Sequence, residues 1–219
     1  PISAFNFQYH ADLATIPGAD GFERIPIHIS KMGNFFYGRT FSKIYDELVK
    51  KIQAESRLYH VHLHVKSSFD EFRTDVERNF GDQVELKTLD CEYSYSKLAE
   101  MWESPQLDKK VLYFNHGMHF AKAPYCSGID YIIHEIGEKR TTSRAVLVTV
   151  NTKDISETAP DALLPSLLSI QTGFDQNQTT LHVTMTLRAL EASRFLKINI
   201  CEVLLIAKQI YSKYRFSNI

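Results

Sequence analysis

Residues 181–210 read LHVTMTLRALEASRFLKINICEVLLIAKQI. Leu181, Val183, Met185 and Leu187 alternate with His182, Thr184 and Thr186, the period of two that turns one face of a β-strand toward a core. Arg188 closes the run where the chain must turn. From about residue 199 to 214 apolar residues fall on nearly every side of a helical repeat, which predicts a helix buried over most of its surface. Upstream, PSLLSIQTGF and TTLHVTMTLR flank the polar DQNQ, two β-rich runs around a turn, and so predict a hairpin. SRAVLVTVN reads as a buried strand. GIDYIIHEIGEKR repeats Ile129, Ile132, Ile133 and Ile136 at helical spacing and ends in charge, as a helix packed on a sheet does.

The first half carries the same signals. Phe41, Ile44, Tyr45, Leu48 and Ile52 predict an amphipathic helix over 40–54, and LYHVHLHV alternates as a strand with Tyr59, Val61, Leu63 and Val65 on one face. Helical patterns follow near 68–79 and 93–103, and apolar strands near 83–88 and 110–115. Residues 1–38, with turn signals at Pro17-Gly18 and Asp20-Gly21, read as an irregular N-terminal arm wrapped on the domain. The order predicts a single domain over 1–219 of class α+β, layered, with several antiparallel strands. A chain of 219 residues is long enough to close one sizeable core.

Composition narrows the partners. With 25 Lys and Arg against 26 Asp and Glu, no broad electrostatic grip on nucleic acid or acidic lipid is expected. Cys91, Cys126 and Cys201 are widely spaced and lack a CxxC pair, which supports neither a disulfide framework nor a structural zinc site and fits a reducing cytoplasm. PISAFNFQYH has no signal-peptide pattern, and no apolar run reaches membrane length, so a cytoplasmic protein off the membrane is expected.

Several residue types bear on chemistry. His60, His62 and His64 share a strand face; two such histidines can ligate a metal, but further ligands are needed, and His116 and His119 in FNHGMHF come with no sign of proximity. A solvated or inter-subunit face is the plainer reading, and no metal site is assigned. Ser166 and Ser169 lack the GxSxG elbow and an assignable base, so no serine hydrolase is indicated. Asn199 can cap the last helix, with Glu202 three positions on as in a capping box. Arg188, at a strand end, can hold a phosphate by two parallel hydrogen bonds or pair with Glu191. Arg144 likewise begins a buried strand.

Together, residues of about 128–210 resemble thymidylate synthase. In that family a helix precedes a strand opening with Ser-Arg-Arg, then come a strand carrying Pro-Cys-His, a hairpin, a strand ending in Arg-Ser-x-Asp, and an Asn eight residues later. GIDYIIHEIGEKRTTSRAVLVTVN is similar to the helix and first strand, with Ser143 and Arg144 in place; LLPSLLSIQ is similar to the second strand; LRALEASRFLKIN keeps the interval from Arg188 to Asn199. The resemblance implies a thymidylate-synthase-like mixed sheet with flanking helices, packed back to back in a homodimer. It implies that Arg188 holds a nucleotide phosphate, Arg144 reaches the same phosphate from the other subunit, and Asn199 faces a pyrimidine base.

Departures from the family pattern fall at the chemistry. Ser166 stands where the family has its nucleophilic cysteine, with Leu167 in place of histidine; Ala145 replaces the second arginine, Ala189 the phosphate-side serine and Glu191 the aspartate. A thiol ionises near pH ~8.5, whereas a serine hydroxyl needs a base to become nucleophilic. The chain given ends at Ile219, before the family's sugar-contacting and folate-closing segments. These departures imply a protein without folate-dependent methyl transfer, acting as a nucleotide-binding, sensing or assembly module. Its site residues are Arg188, Arg144, Asn199 and Ser166, its ligand a pyrimidine nucleoside monophosphate, and its partner a second copy, with no catalytic residue and no cofactor assigned. The alternatives are a remodelled pyrimidine-nucleotide-modifying enzyme and a purely structural homodimeric subunit.

Overall fold

The computed structural model describes residues 34–81, 84–86, 91–93, 98, 116, 124–125, 127–149, 166–193 and 195–219. These form β1 (Asn34–Gly38), α1 (Phe41–Glu55), β2 (Val61–Val65), α2 (Phe69–Phe80), β3 (Val84–Leu86), β4 (Cys91–Tyr93), α3 (Gly128–Glu138), β5 (Val146–Val148), β6 (Leu167–Phe174), β7 (Leu181–Leu187) and α4 (Phe195–Lys213). The architecture is mixed α+β. Residues 34–38, read from sequence as part of an irregular arm, instead form strand β1. Most of the two patterns near 93–103 and 110–115, and the arm as far as residue 33, lie outside the described residues.

β1 and β2 pair in parallel across the intervening α1. Phe41, Ile44 and Leu48 are the buried stripe of that helix, and Phe41 and Tyr45 meet Phe80 of α2 edge-on at 5.3 and 5.4 Å between ring centroids. Thr40 precedes α1 without a side-chain cap; Asp75 of α2 takes that role from outside. α2 and α3 are capped locally. Ser68 accepts from the Glu71 N–H at 3.2 Å, and Ser127 and Asp130 form a reciprocal capping box.

β3 and β4 pair antiparallel, and a separate three-stranded sheet runs in the order β5-β6-β7, antiparallel throughout. The predicted hairpin is present: Asp175 accepts from the Thr179 and Thr180 N–H groups at 2.9 and 3.1 Å. Partial burial pushes the Asp175 carboxyl up, but these hydrogen bonds outweigh it and hold the group below the usual range. Gly173 lets the chain pass close over β6, since a Cβ there would lie 2.9 Å from the Thr142 carbonyl oxygen. Leu181, Val183, Met185 and Leu187 turn inward as the alternation predicts. The opposite face carries two rows, Val146–Gln171–Thr184 and Val148–Ser169–Thr186, of β-branched and polar side chains.

α4 closes the core, its sides covered by α2, α3 and β7. It begins four residues before Asn199, because the Glu191 carbonyl accepts from the Phe195 and Leu196 N–H groups at 3.1 and 3.3 Å. The capping role expected of Asn199 is therefore not observed; the residue lies inside the helix. After α4 the chain returns as a stitch, with Ser217–Ile219 hydrogen-bonded to Ser67 and Phe69 on one side and to Thr179 and Leu181 on the other.

Candidate functional site

β6 and β7 bring the first two candidates together. Leu167 and Leu187 are paired and turned inward, and just beyond them the Arg188 N–H donates to the Ser166 carbonyl at 2.8 Å. A β-bulge between Leu167 and Ser169 breaks the register beside this point. Bulges re-aim side chains at strand ends, where sites are often built. Ser166 is half-buried and Arg188 is exposed, both at the hairpin's open end.

Arg144 lies at the other end of the same sheet. Val146 pairs with Gln171, and the Thr172 N–H donates to the Ala145 carbonyl at 2.9 Å, which sets Arg144 level with Gly173. Its distance from Ser166 is most of the length of β6, about 23 Å at ~3.3 Å per residue. No side chain spans that gap. Arg144 is 80% exposed, with Nε 3.4 Å from the Glu135 carboxylate, and its carbonyl accepts from the Tyr131 hydroxyl at 2.8 Å.

Asn199 sits within the first turns of α4, 4% exposed. Its Nδ2 donates to Glu202 Oε2 at 3.1 Å, so the Asn-x-x-Glu spacing is used for a buried side-chain pair and not for a cap. Glu202 is 0% exposed, and both its oxygens lie 2.8 Å from Nδ1 of His116, itself 8% exposed. An ionised carboxylate has no hydrogen to give, so Nδ1–H is the donor. Sequence reasoning considered His116 only as a metal ligand. The signal that points to this pairing is Glu202 itself, a carboxylate inside INICEVLLIA that cannot be buried without donors.

The remaining candidates have other roles. The Cys201 thiol is pushed up to about 12 by burial and secondarily by the Glu202 charge, and it faces the Phe80 carbonyl at 3.6 Å; it is a core residue, not a displaced nucleophile. His62 stacks on Phe35 with ring centroids 4.4 Å apart, and His64 meets Tyr37 at 5.2 Å. Burial, and then the neighbouring His60, lower the His62 pKa. Among the described residues no three His, Cys, Asp or Glu side chains converge as metal ligands. His119 lies outside the described residues. No described helix is long and apolar enough to cross a membrane.

With this geometry in place, comparison with solved structures returns distant matches. Two of them are thymidylate synthases. Thermostable thymidylate synthase A from Bacillus subtilis is 13% identical, with 65% of this chain covering 50% of that one at a TM-score of 0.37. The T4 phage enzyme is 12% identical, with 62% covering 47% at 0.39. The chain thus spans about half the length of the synthases it matches. The likeness is a distant one of fold, and at these scores it bears on neither substrate nor chemistry. No protein-family profile matches the sequence. No curated protein sequence matches it either.

Proposed function

We propose that this protein is a thymidylate-synthase-like module that binds a pyrimidine nucleoside monophosphate and does not carry out methyl transfer. The observation that supports the reading is the backbone hydrogen bond from the Arg188 N–H to the Ser166 carbonyl, which makes Arg188 a neighbour, across the hairpin's open end, of the residue standing at the family's nucleophile position. Arg188 offers a planar fork for a phosphate dianion at the strand mouth, as its spacing to Asn199 in the resemblance implies. A serine there, followed by Leu167, has no thiolate chemistry to offer. Arg144, at the far end of β6, joins this site only from a second copy of the chain, which is why the reading includes a homodimer.

Calorimetry with uridine, cytidine, adenosine and guanosine monophosphates, set against the nucleosides, tests the reading. Pyrimidine monophosphates bind better than nucleosides, and the difference shrinks with added salt. Arg188→Ala removes a charge-assisted contact worth about 1.5–3 kcal/mol, roughly ten- to a hundredfold in affinity, without loss of fold. No binding of any monophosphate below millimolar concentration overturns the proposal.

A further inference from the structure

The proposed nucleotide site leaves the outward face of the β1–β2 pair unused. Register sets Phe35 beside His62 and Tyr37 beside His64, while alternation sends Phe36, Leu63 and Val65 to the core on the opposite side. Phe35 and His62 stack with their planes 3° apart, and Tyr37 lies tilted at 55° to His64. Phe35 is nonetheless 44% exposed and Tyr37 67%. Two aromatic rungs, ~6.6 Å apart along the strands, thus stand toward solvent. With its pKa lowered by burial and then by His60, His62 is an uncharged ring at neutral pH.

Cations flank the rungs at both ends. The Lys66 N–H donates to the Gly38 carbonyl at 3.0 Å, which carries the pairing past the strands and brings the exposed Arg39 and Lys66 to one end. At the other end Asn34 donates to the Tyr59 and His60 carbonyls at 2.8 and 2.9 Å. These bonds draw in the loop where the Arg57 guanidinium is hydrogen-bonded to the exposed Tyr59. Neither 34–39 nor 57–66 contains an Asp or Glu. Ring faces framed by three cations, with no acid among them, complement a polyanion that carries ring faces of its own.

We propose that the outward face of β1 and β2 is a docking platform for single-stranded nucleic acid, with bases against Phe35, Tyr37, His62 and His64 and backbone phosphates held by Arg39, Lys66 and Arg57. This goes beyond the mononucleotide reading and does not rest on it. Every base has a π face to stack, and a duplex hides those faces, so the platform selects single strands and tolerates sequence. Five-residue strands with two rungs accommodate about two or three bases. The near-neutral composition excludes a broad grip on a nucleic-acid backbone. Three local cations give a weak, salt-sensitive grip, and stacking on the rings adds the rest.

The test is fluorescence anisotropy of short fluorescein-labelled oligothymidine and oligouridine strands, a DNA duplex of the same length and heparin, titrated with the full chain at low salt. Either single strand is expected to bind about tenfold or more tightly than the duplex and heparin. Tyr37→Ala, at an exposed position, weakens the single strands about tenfold and leaves heparin unchanged. Arg39→Gln with Lys66→Gln lowers the slope of log affinity against log salt by about 1.4. Arg188→Ala changes none of these, which keeps this platform distinguishable from the mononucleotide site. Equal binding of single strand, duplex and heparin overturns the inference, as does an affinity unmoved by Tyr37→Ala or abolished by Arg188→Ala. A face that binds no strand below millimolar concentration, while Tyr37→Ala lowers the mass seen by light scattering, is a contact between protein chains, and that outcome also overturns it.

Discussion

The carboxylate of Asp75, on α2, accepts hydrogen bonds from both the backbone N–H and the hydroxyl of Ser42, in the first turn of α1, the former at 3.0 Å. Asn79 donates to the same carboxylate at 3.0 Å. A buried acid thereby caps a neighbouring helix and meets the positive end of its dipole. Asp75→Ala is expected to lower stability by about 2 kcal/mol, read as a lower urea midpoint, and Asp75→Asn by less, since an amide oxygen still accepts. Equal losses for the two would assign the effect to packing.

Glu202 holds two donors where water cannot replace it. Glu202→Leu leaves the His116 Nδ1–H and an Asn199 N–H unpaired, and is expected to cost about 3 kcal/mol in chemical denaturation; Glu202→Gln keeps one acceptor and costs about 1 kcal/mol. A leucine variant as stable as wild type would show that the polar cluster contributes nothing to the fold.

Cys201 makes a pH-dependent contribution with a defined sign. Its thiol ionises near an ordinary 9.0 when the chain is unfolded and only at about 12 when folded. Between these values the unfolded state binds fewer protons, so the contribution is complete below pH ~9 and falls as pH rises toward 12. Cys201→Ala or Cys201→Val removes that part of the alkaline slope in denaturant titrations. In native protein at pH 8, iodoacetamide leaves Cys201 unmodified, and mass spectrometry detects alkylation there only after unfolding.

Restoring the nucleophile does not restore the reaction. Ser166→Cys is expected to release no tritium from C5-labelled deoxyuridylate in the presence of methylene-tetrahydrofolate, because Leu167 and Ala145 remain altered around it. Release in proportion to protein, in wild type or variant, would refute the absence of methyl transfer.

Arg144 and Ser166 lie at opposite ends of β6, so a shared anion site requires two copies. Light scattering at micromolar concentration is expected to give a dimeric mass, and Val148→Lys, on the outward row of the β5-β6-β7 sheet, to shift it toward monomer. A wild-type monomer would remove Arg144 from the site.

Local periodicity determined most of the elements in advance. α1, α2 and α3 follow from apolar residues at helical spacing, and the β6-β7 hairpin from two alternating runs around DQNQ, because amphipathic patterning records which face each segment buries. Strand β1 escaped, since the five residues NFFYG are too short to establish a period and acquire their strand geometry from pairing with β2. Asn199 shows where local reading fails. Its spacing to Glu202 fits a capping box, yet α4 starts at Phe195, and the pair is buried against a histidine far away in the chain. Likewise, nothing in SRAVLVTVN or LRALE tells which strand ends coincide; the antiparallel register alone separates Arg144 from Ser166 and brings Arg188 beside it. Sequence patterns encode which faces seek a core, whereas the identity of the partner across that core is a long-range contact, decided only when the chain has closed on itself.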